Sequence, residues 1–243
     1  MKTFKDNFSK QSDIYLRYRP HYPVELYAHL AKLTEGHGLA WDCGTGNGQA
    51  AIGLASFYNR IIATDPSEQQ IANAIQHDKV TYLVEKAENT SIASGSVDLL
   101  TIANALHWFN FDEFYKEARR VMKKEGVIAA WCYEVPKISP ELDKITRKLH
   151  DVILDDCWLP ENRLVEKEYT TIPFPFEAVE SPSFFSRREM TLDDMIGYLN
   201  TWSATQRFIR EKGNNPVDLI RDELTEAWQN PAVTKTVTWK LVL

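Results

Sequence analysis

Leu39-Ala-Trp-Asp-Cys-Gly-Thr-Gly-Asn-Gly-Gln49 decides how this chain of 243 residues is read. A short apolar run ends in an acid, Asp42, and glycines follow at alternate positions, Gly44, Gly46 and Gly48. The alanine-rich segment from Ala50 to Ala55 then has a helical pattern. The order is strand, tight glycine turn, helix. Glycine adopts positive φ at little cost and lets backbone approach a ligand closely. A helix starting at such a turn directs unpaired N–H groups and the positive end of its dipole into it. The stretch is therefore suited to a nucleotide-like cofactor.

The spacing narrows the choice. The dinucleotide fingerprint is G-x-G-x-x-G, whereas here the glycines read G-x-G-x-G and Gln49 stands where the third glycine belongs. Outward from the turn, Arg60 to Asp65 reads as a second strand ending in an acid. A carboxylate at that strand's carboxyl end can accept hydrogen bonds from both ribose hydroxyls. Asp65 suits nicotinamide cofactors and S-adenosylmethionine (SAM) equally. Val80 to Val84 is a third strand, Val97 to Ala103 a fourth and Val127 to Trp131 a fifth. The near-continuous apolar run of the fourth suits a central strand covered on both faces. Strands alternating with helical patterns indicate a parallel α/β sheet with right-handed crossovers. The segment beyond the fourth strand then lines the ligand crevice, which puts His107 and Trp108 near the reacting group. The plainer alternative is that Trp108 packs and His107 caps the next helix.

The composition excludes several classes. Lys and Arg number 28 against 34 Asp and Glu, a net charge of −6. With no long basic run, nucleic acid is a poor partner, because phosphate binding wants clustered cations. The cysteines Cys43, Cys132 and Cys157 are widely spaced and form neither a metal pattern nor a disulfide framework. No metal site is expected. The first residues lack the apolar core of a leader, and no stretch approaches about 18 consecutive apolar residues. A cytoplasmic protein is expected, without a membrane partner and of undetermined oligomeric state.

Before the glycine turn, YLRYRPHYP from Tyr15 to Pro23 bends at two prolines and starts a helix running to about Leu33. Its Arg and Tyr side chains either pack as a surface arm or form a lid with an Arg reaching the cofactor. Beyond Val135, residues 138–155 read as a helix with Ile145, Leu149, Val152 and Ile153 on one face. Proline-broken segments come next. Thr191 and Asp194 suit a capping box, and the closing TVTWKLVL alternates like a half-buried strand.

Together, YLRYRPHYP, DCGTGNGQ, TDPSEQQ, the Ala87-Glu88 pair after the third strand and ANALHWFNFDEF resemble the class I SAM-dependent methyltransferases. Within them they look like the methyltransferase type 11 family and its trans-aconitate methyltransferase-like branch. The resemblance implies a Rossmann-like, seven-stranded, mostly parallel sheet with helices on both faces and the last strand antiparallel beside the fifth. Residues 183–190 would be the sixth strand. It implies one methyltransferase domain over 1–243: an N-terminal arm or lid (1–35), a cofactor core (36–135), a helical acceptor-side cover with strand six (136–230) and the final strand (231–243).

Carried over residue by residue, Gly44 and Gly46 would line the methionine part of SAM and Asp42 would hold its ammonium, directly or through water. Arg19 would take its carboxylate, Asp65 its ribose, and Ala87 and Glu88 its adenine. Asn104 would offer its backbone carbonyl near the ammonium. His107 and Trp108 would face the acceptor, with Trp158 and Trp202 as further wall or as core. The implied function is methyl transfer from SAM to a small molecule. A carboxylate acceptor would need no base but would want an Arg, available at Arg187, Arg188, Arg207 and Arg210. A phenol, alcohol or amine would use His107 or Tyr18 as base. The competing readings are a nicotinamide-dependent oxidoreductase, which lacks the fingerprint spacing, and a SAM-binding protein that transfers nothing.

Overall fold

The computed structural model describes residues 18–243. Residues 1–17 of the expected arm lie outside the described residues. Pro23 opens helix α1 (Val24–Leu33), whose buried face carries Leu26, Tyr27 and Leu30. The chain then alternates: β1 (Leu39–Cys43), α2 (Gln49–Leu54), β2 (Arg60–Asp65), α3 (Glu68–Ala72), β3 (Val80–Val84), β4 (Val97–Ala103), α4 (Phe111–Val121) and β5 (Met122–Tyr133). The second half supplies α5 (Pro140–Lys148), α6 (Asn162–Glu166), β6 (Phe184–Met190), α7 (Leu192–Asn200), α8 (Ser203–Lys212), α9 (Arg221–Trp228) and β7 (Lys235–Val242).

The seven strands form one sheet in the order β3-β2-β1-β4-β5-β7-β6. β1 pairs in parallel with both β2 and β4, and β7 runs antiparallel to β5 and β6. The mostly parallel sheet and the antiparallel last strand agree with the expectation from sequence. All five residues of β1 are buried, as are the first six of β4. That burial is why these strands read as continuous apolar runs rather than alternating ones. One face packs Leu26, Leu54, Leu99 and Trp131, and the core continues through Trp228 and Trp239. The other packs Trp41, Leu100, Ile102, Phe114 and Val121. In β7 the alternation holds, with Val237, Trp239 and Leu241 inward. Among the described residues no helix is long and apolar enough to cross a membrane.

Two boundaries differ from the sequence reading. The fifth strand starts at Met122, not Val127, and its register against β4 shifts between Val97 and Leu99. Lys123-Lys124, read as a helix end, lie in this irregular start. A Cβ on Gly126 would stand 3.0 Å from the Val97 carbonyl oxygen, so glycine fits this close approach of two strands. The second difference is in residues 149–153, which form a π turn instead of continuing α5. The Leu154 N–H bonds to the Leu149 carbonyl at 3.0 Å. The extra residue per turn rotates the chain beyond it by roughly 100°. Val152, expected on the buried face, is 72% exposed.

Asp98, at the start of β4, ties the bottom of the sheet. Its Oδ2 accepts the N–H groups of Gly38 and Leu39, both at 2.9 Å, and its Oδ1 accepts from Lys123 Nζ at 2.6 Å. The buried side chain thus joins β1, β4 and the irregular start of β5. Burial alone would raise its carboxyl, but Lys123 and the two amides outweigh it and hold the pKa below the usual range. Asp98→Ala leaves two backbone donors without their acceptor and should lose about 2 kcal/mol in urea unfolding, with Lys123 adding little because it reaches solvent. A loss below about 0.5 kcal/mol would show that water replaces these bonds.

Candidate cofactor and acceptor site

Strand order reverses between β1 and β4, and ligands bind beyond the carboxyl ends of strands at such a point. A cleft of about 690 Å³ opens there. Its lining includes Gly44, Gly46, Asp65, Ala87, Glu88, Asn104, His107 and Trp108 from the first half. Arg19, Trp158 and Trp202 also line it. The structure therefore brings together all the sequence-predicted site residues except Asp42 and Tyr18. Among the described residues no group of three or more His, Cys, Asp or Glu side chains could hold a metal ion.

The glycine turn adopts positive φ at Gly44, Gly46 and Gly48, of 69°, 56° and 90°. A Cβ at Gly44 would meet that of Ala105 at 2.6 Å, so the turn presses on the loop after β4. The first of its backbone donors are committed within the fold. Gly44 and Thr45 N–H both donate to the Thr64 carbonyl at 2.9 Å, and Gly46 N–H donates to Asp65 Oδ2 at 2.9 Å. Asp65 Oδ1 takes the Ser67 N–H at 2.9 Å. The helix after the turn has six residues. The N–H groups of Asn47, Gln49 and Ala50, at the end of the turn and the start of the helix, make no hydrogen bond to a described residue and stay available, as the sequence led one to expect. Side chains add further unpaired polarity. Asn47 Nδ2, Gln49 Nε2 and Asn104 Oδ1 are buried and make no hydrogen bond to a described residue, and all three residues line the cleft. Asn104 itself takes a positive φ of 55° at the end of β4, and its N–H donates to the Trp131 carbonyl at 2.7 Å.

Asp42 lies beneath the turn, fully buried and outside the cleft lining. Its Oδ2 accepts from Thr45 Oγ1 at 2.5 Å and its Oδ1 from Thr101 Oγ1 at 2.9 Å. From under the floor it braces the turn against β4, so the route left to a ligand ammonium is the water-mediated one. Tyr18 is displaced from its expected role. Its ring packs on Gly197 of α7, where a Cβ would meet it at 2.5 Å, and it does not line the cleft.

The remaining predicted residues lie in the wall. Ala87 is buried. Glu88 Oε1 accepts the Asn110 N–H at 2.8 Å, holding the start of α4 to the loop after β3. Arg19 is 8% exposed and donates to Tyr133 Oη at 2.6 Å and to the Thr201 carbonyl at 2.7 Å. It therefore joins β5 to the end of α7. His107 sits in a short 3₁₀ turn, Leu106–Trp108, with Nδ1 2.8 Å from Tyr169 Oη and its ring 4.8 Å from that of Trp108. Burial holds the Tyr169 phenol well above its usual range, so it remains a neutral O–H.

The cover adds residues that sequence reading missed. His150, Asp151, Glu161 and Tyr198 line the cleft with Trp158 and Trp202. His150 and Asp151 follow Arg147 at helical i+3 and i+4 spacing, so a polar face opposite the buried one was the signal that could have found them. The arginines proposed for a carboxylate acceptor, Arg187, Arg188, Arg207 and Arg210, are not among the lining residues.

The charge on Asp42 carries a measurable cost. Burial pushes its carboxyl up to about 6, against the pull of the hydrogen bonds from Thr45, Thr101 and the Ala51 backbone. The folded acid holds its proton more tightly than the unfolded one. Its stabilising contribution is complete below about pH 4 and is lost as pH rises through about 6, a fall of roughly 3 kcal/mol. Asp42→Asn should gain stability relative to the native chain as pH rises from about 4 to 6, then run parallel to it. Urea titrations across that range read the difference, and a pH-independent difference would show that Asp42 does not titrate there.

The methyltransferase domain family model matches residues 41–130. A Dictyostelium discoideum protein provisionally named a methyltransferase is 35% identical over 230 residues, covering 93% of this chain and 88% of its own length. A Saccharomyces cerevisiae protein, CRG1, provisionally named an SAM-dependent methyltransferase, is 24% identical over 263 residues, covering 93% and 90%. A solved structure from Anaeromyxobacter dehalogenans, provisionally titled a type II methyltransferase, superposes with a TM-score of 0.87 at 40% identity over 93% of this chain and 96% of that one. Full-length likeness and a cleft at the strand-order switch agree, and this chain belongs to the class I SAM-dependent methyltransferases, as an enzyme of that family.

Proposed function

We propose that the cleft binds SAM along the glycine turn and directs its methyl group to a small-molecule acceptor under the cover. The observation that carries this reading is the set of unpaired polar atoms beside the turn. Asn47 Nδ2 and Gln49 Nε2 are donors and Asn104 Oδ1 is an acceptor. Buried polar atoms without partners are costly, and a ligand with a carboxylate and an ammonium at one end would satisfy all three. SAM supplies a methyl group on a positively charged sulfur that is already a good leaving group.

The residues divide the remaining work. Asn47 and Gln49 would hold the carboxylate, in place of Arg19, whose guanidinium braces Tyr133 and Thr201. Asn104 would take the ammonium. Asp65 is fixed by the amides of Gly46 and Ser67 and still offers lone pairs to the ribose hydroxyls. Ala87 and Glu88 would border the adenine. Trp108, Trp158 and Trp202 would exclude water and press the acceptor toward the methyl group, so that positioning supplies much of the acceleration. His107 is the residue we assign to proton removal from an acceptor that needs it. The nicotinamide reading is disfavoured by the glycine spacing, G-x-G-x-G in place of G-x-G-x-x-G.

Thermal unfolding with SAM, S-adenosylhomocysteine and NADH tests the cofactor. A ligand at about 100 times its Kd adds roughly 2.7 kcal/mol, a rise of roughly 5–10 °C for a chain this size. SAM and S-adenosylhomocysteine should raise Tm and NADH should not; the reverse pattern would overturn the reading. Asp65→Ala should weaken calorimetric SAM binding by about tenfold or more while the circular dichroism is retained. For an acceptor that must lose a proton, His107→Ala should lower kcat about a hundredfold with SAM affinity little changed, and unaltered turnover would remove it from the chemistry.

A further inference from the structure

The cover places aromatic rings around one part of the cleft. The Trp158 and Trp202 centroids are 5.8 Å apart, and the His150 ring lies 4.6 Å from the first and 5.5 Å from the second. Tyr198 meets Trp202 edge-on at 5.9 Å. The group is held in place from outside. Trp158 Nε1 donates to the His150 carbonyl at 3.0 Å, and His150 Nδ1 lies 2.6 Å from Asp151 Oδ1.

Among the described residues, the carboxylates other than Glu161 that line this part of the cleft have a counter-charge. Asp151 has Arg147 at 3.6 Å, Glu166 has Arg163 at 2.8 Å, and Glu134 and Glu168 have Lys240 at 3.0 and 4.0 Å. Glu161 has no such ion pair among the described residues. It lines the same cleft, and its Oε2 is buried without a hydrogen-bond partner among the described residues. It stands directly before α6, and Asn162 Oδ1 accepts the Leu159 N–H at 3.1 Å, which fixes the local backbone. A carboxylate with one oxygen buried and unpaired, and no cation beside it, is unfavourable unless a ligand completes it. The cleft's cations, Arg19, Lys86 and Arg147, do not reverse the sign, since its carboxylates, Asp65, Glu88, Glu134, Asp151, Glu161, Glu166 and Glu168, outnumber them.

We infer that the acceptor carries a positively charged amine, which Glu161 pairs while the faces of Trp158 and Trp202 enclose it. This rests on the methyl-transfer reading above and names the acceptor class for that site. Both recognition elements favour a cation. Indole faces attract one within about 6 Å of the ring centroid, and a carboxylate forms a charge-assisted hydrogen bond with an ammonium. A carboxylate acceptor would instead face Glu161.

Calorimetry with matched pairs tests this: benzylamine and benzoate, tyramine and 4-hydroxyphenylacetate, tryptamine and indole-3-acetate. Each titration is run with and without saturating S-adenosylhomocysteine. The amine of at least one pair should bind about tenfold more tightly than its acid, and Glu161→Gln should weaken that amine about tenfold and abolish the preference. Trp158→Leu should weaken the amine too, and S-adenosylhomocysteine should bind both variants as it binds the native protein. Tighter binding of the acids, absence of amine binding, or an unchanged amine affinity in Glu161→Gln would overturn the proposal. Failure of S-adenosylhomocysteine to bind would overturn the cofactor reading instead, while the amine preference without it still decides this one.

Discussion

A fully buried carboxylate, Asp42, accepts hydrogen bonds from Thr45 in the glycine turn and Thr101 in β4. The rest of the site depends on this junction. β1 and β4 are the strands at which the sheet order reverses, and the crevice exists because the chain leaves them in opposite directions. Two hydroxyls on one acid fix the height of the turn against β4, and so the distance between Gly44 and the loop that carries Asn104 and His107. Burial makes the charge expensive. That cost is the mark of a group kept for geometry rather than stability.

The turn divides its polar groups between the fold and the cleft. Gly44, Thr45 and Gly46 N–H groups serve Thr64 and Asp65 within the fold. Beside them, amide side chains from Asn47, Gln49 and Asn104 bring unpaired polar atoms to the cleft. A turn of this kind is matched to an amino-acid end with one negative and one positive group.

The cover obeys different physics. Its elements are short, and their packing turns on one irregular piece, the π turn at Leu149–Ile153. That turn sends Val152 to solvent, while His150, one helical turn on from Arg147, faces the cleft beside Trp158 and Trp202. Such irregular turns are frequent at functional sites, because they re-aim side chains that a regular helix would misplace. Glu161, without a cation among the described residues, belongs to this same layer.

The sequence by itself determined the sheet core, the glycine turn, the acid at Asp65 and the order of motifs. These depend on local rules: strand periodicity, glycine conformation, and the placement of ligands beyond strand ends. It also placed Trp108, Trp158 and Trp202, since large rings near a crevice are conspicuous. Only the tertiary structure decided that Asp42 braces the turn from beneath, that Arg19 ties Tyr133 to Thr201, and that Tyr18 packs on Gly197. A charged or phenolic side chain has no period to betray its partner, and its role is set by the distant segments that pack against it. For the same reason Glu161 stayed hidden, since a missing counter-ion leaves no trace in composition or spacing. The inserted residue of the π turn is equally silent in the sequence, yet it decides that Val152 faces solvent.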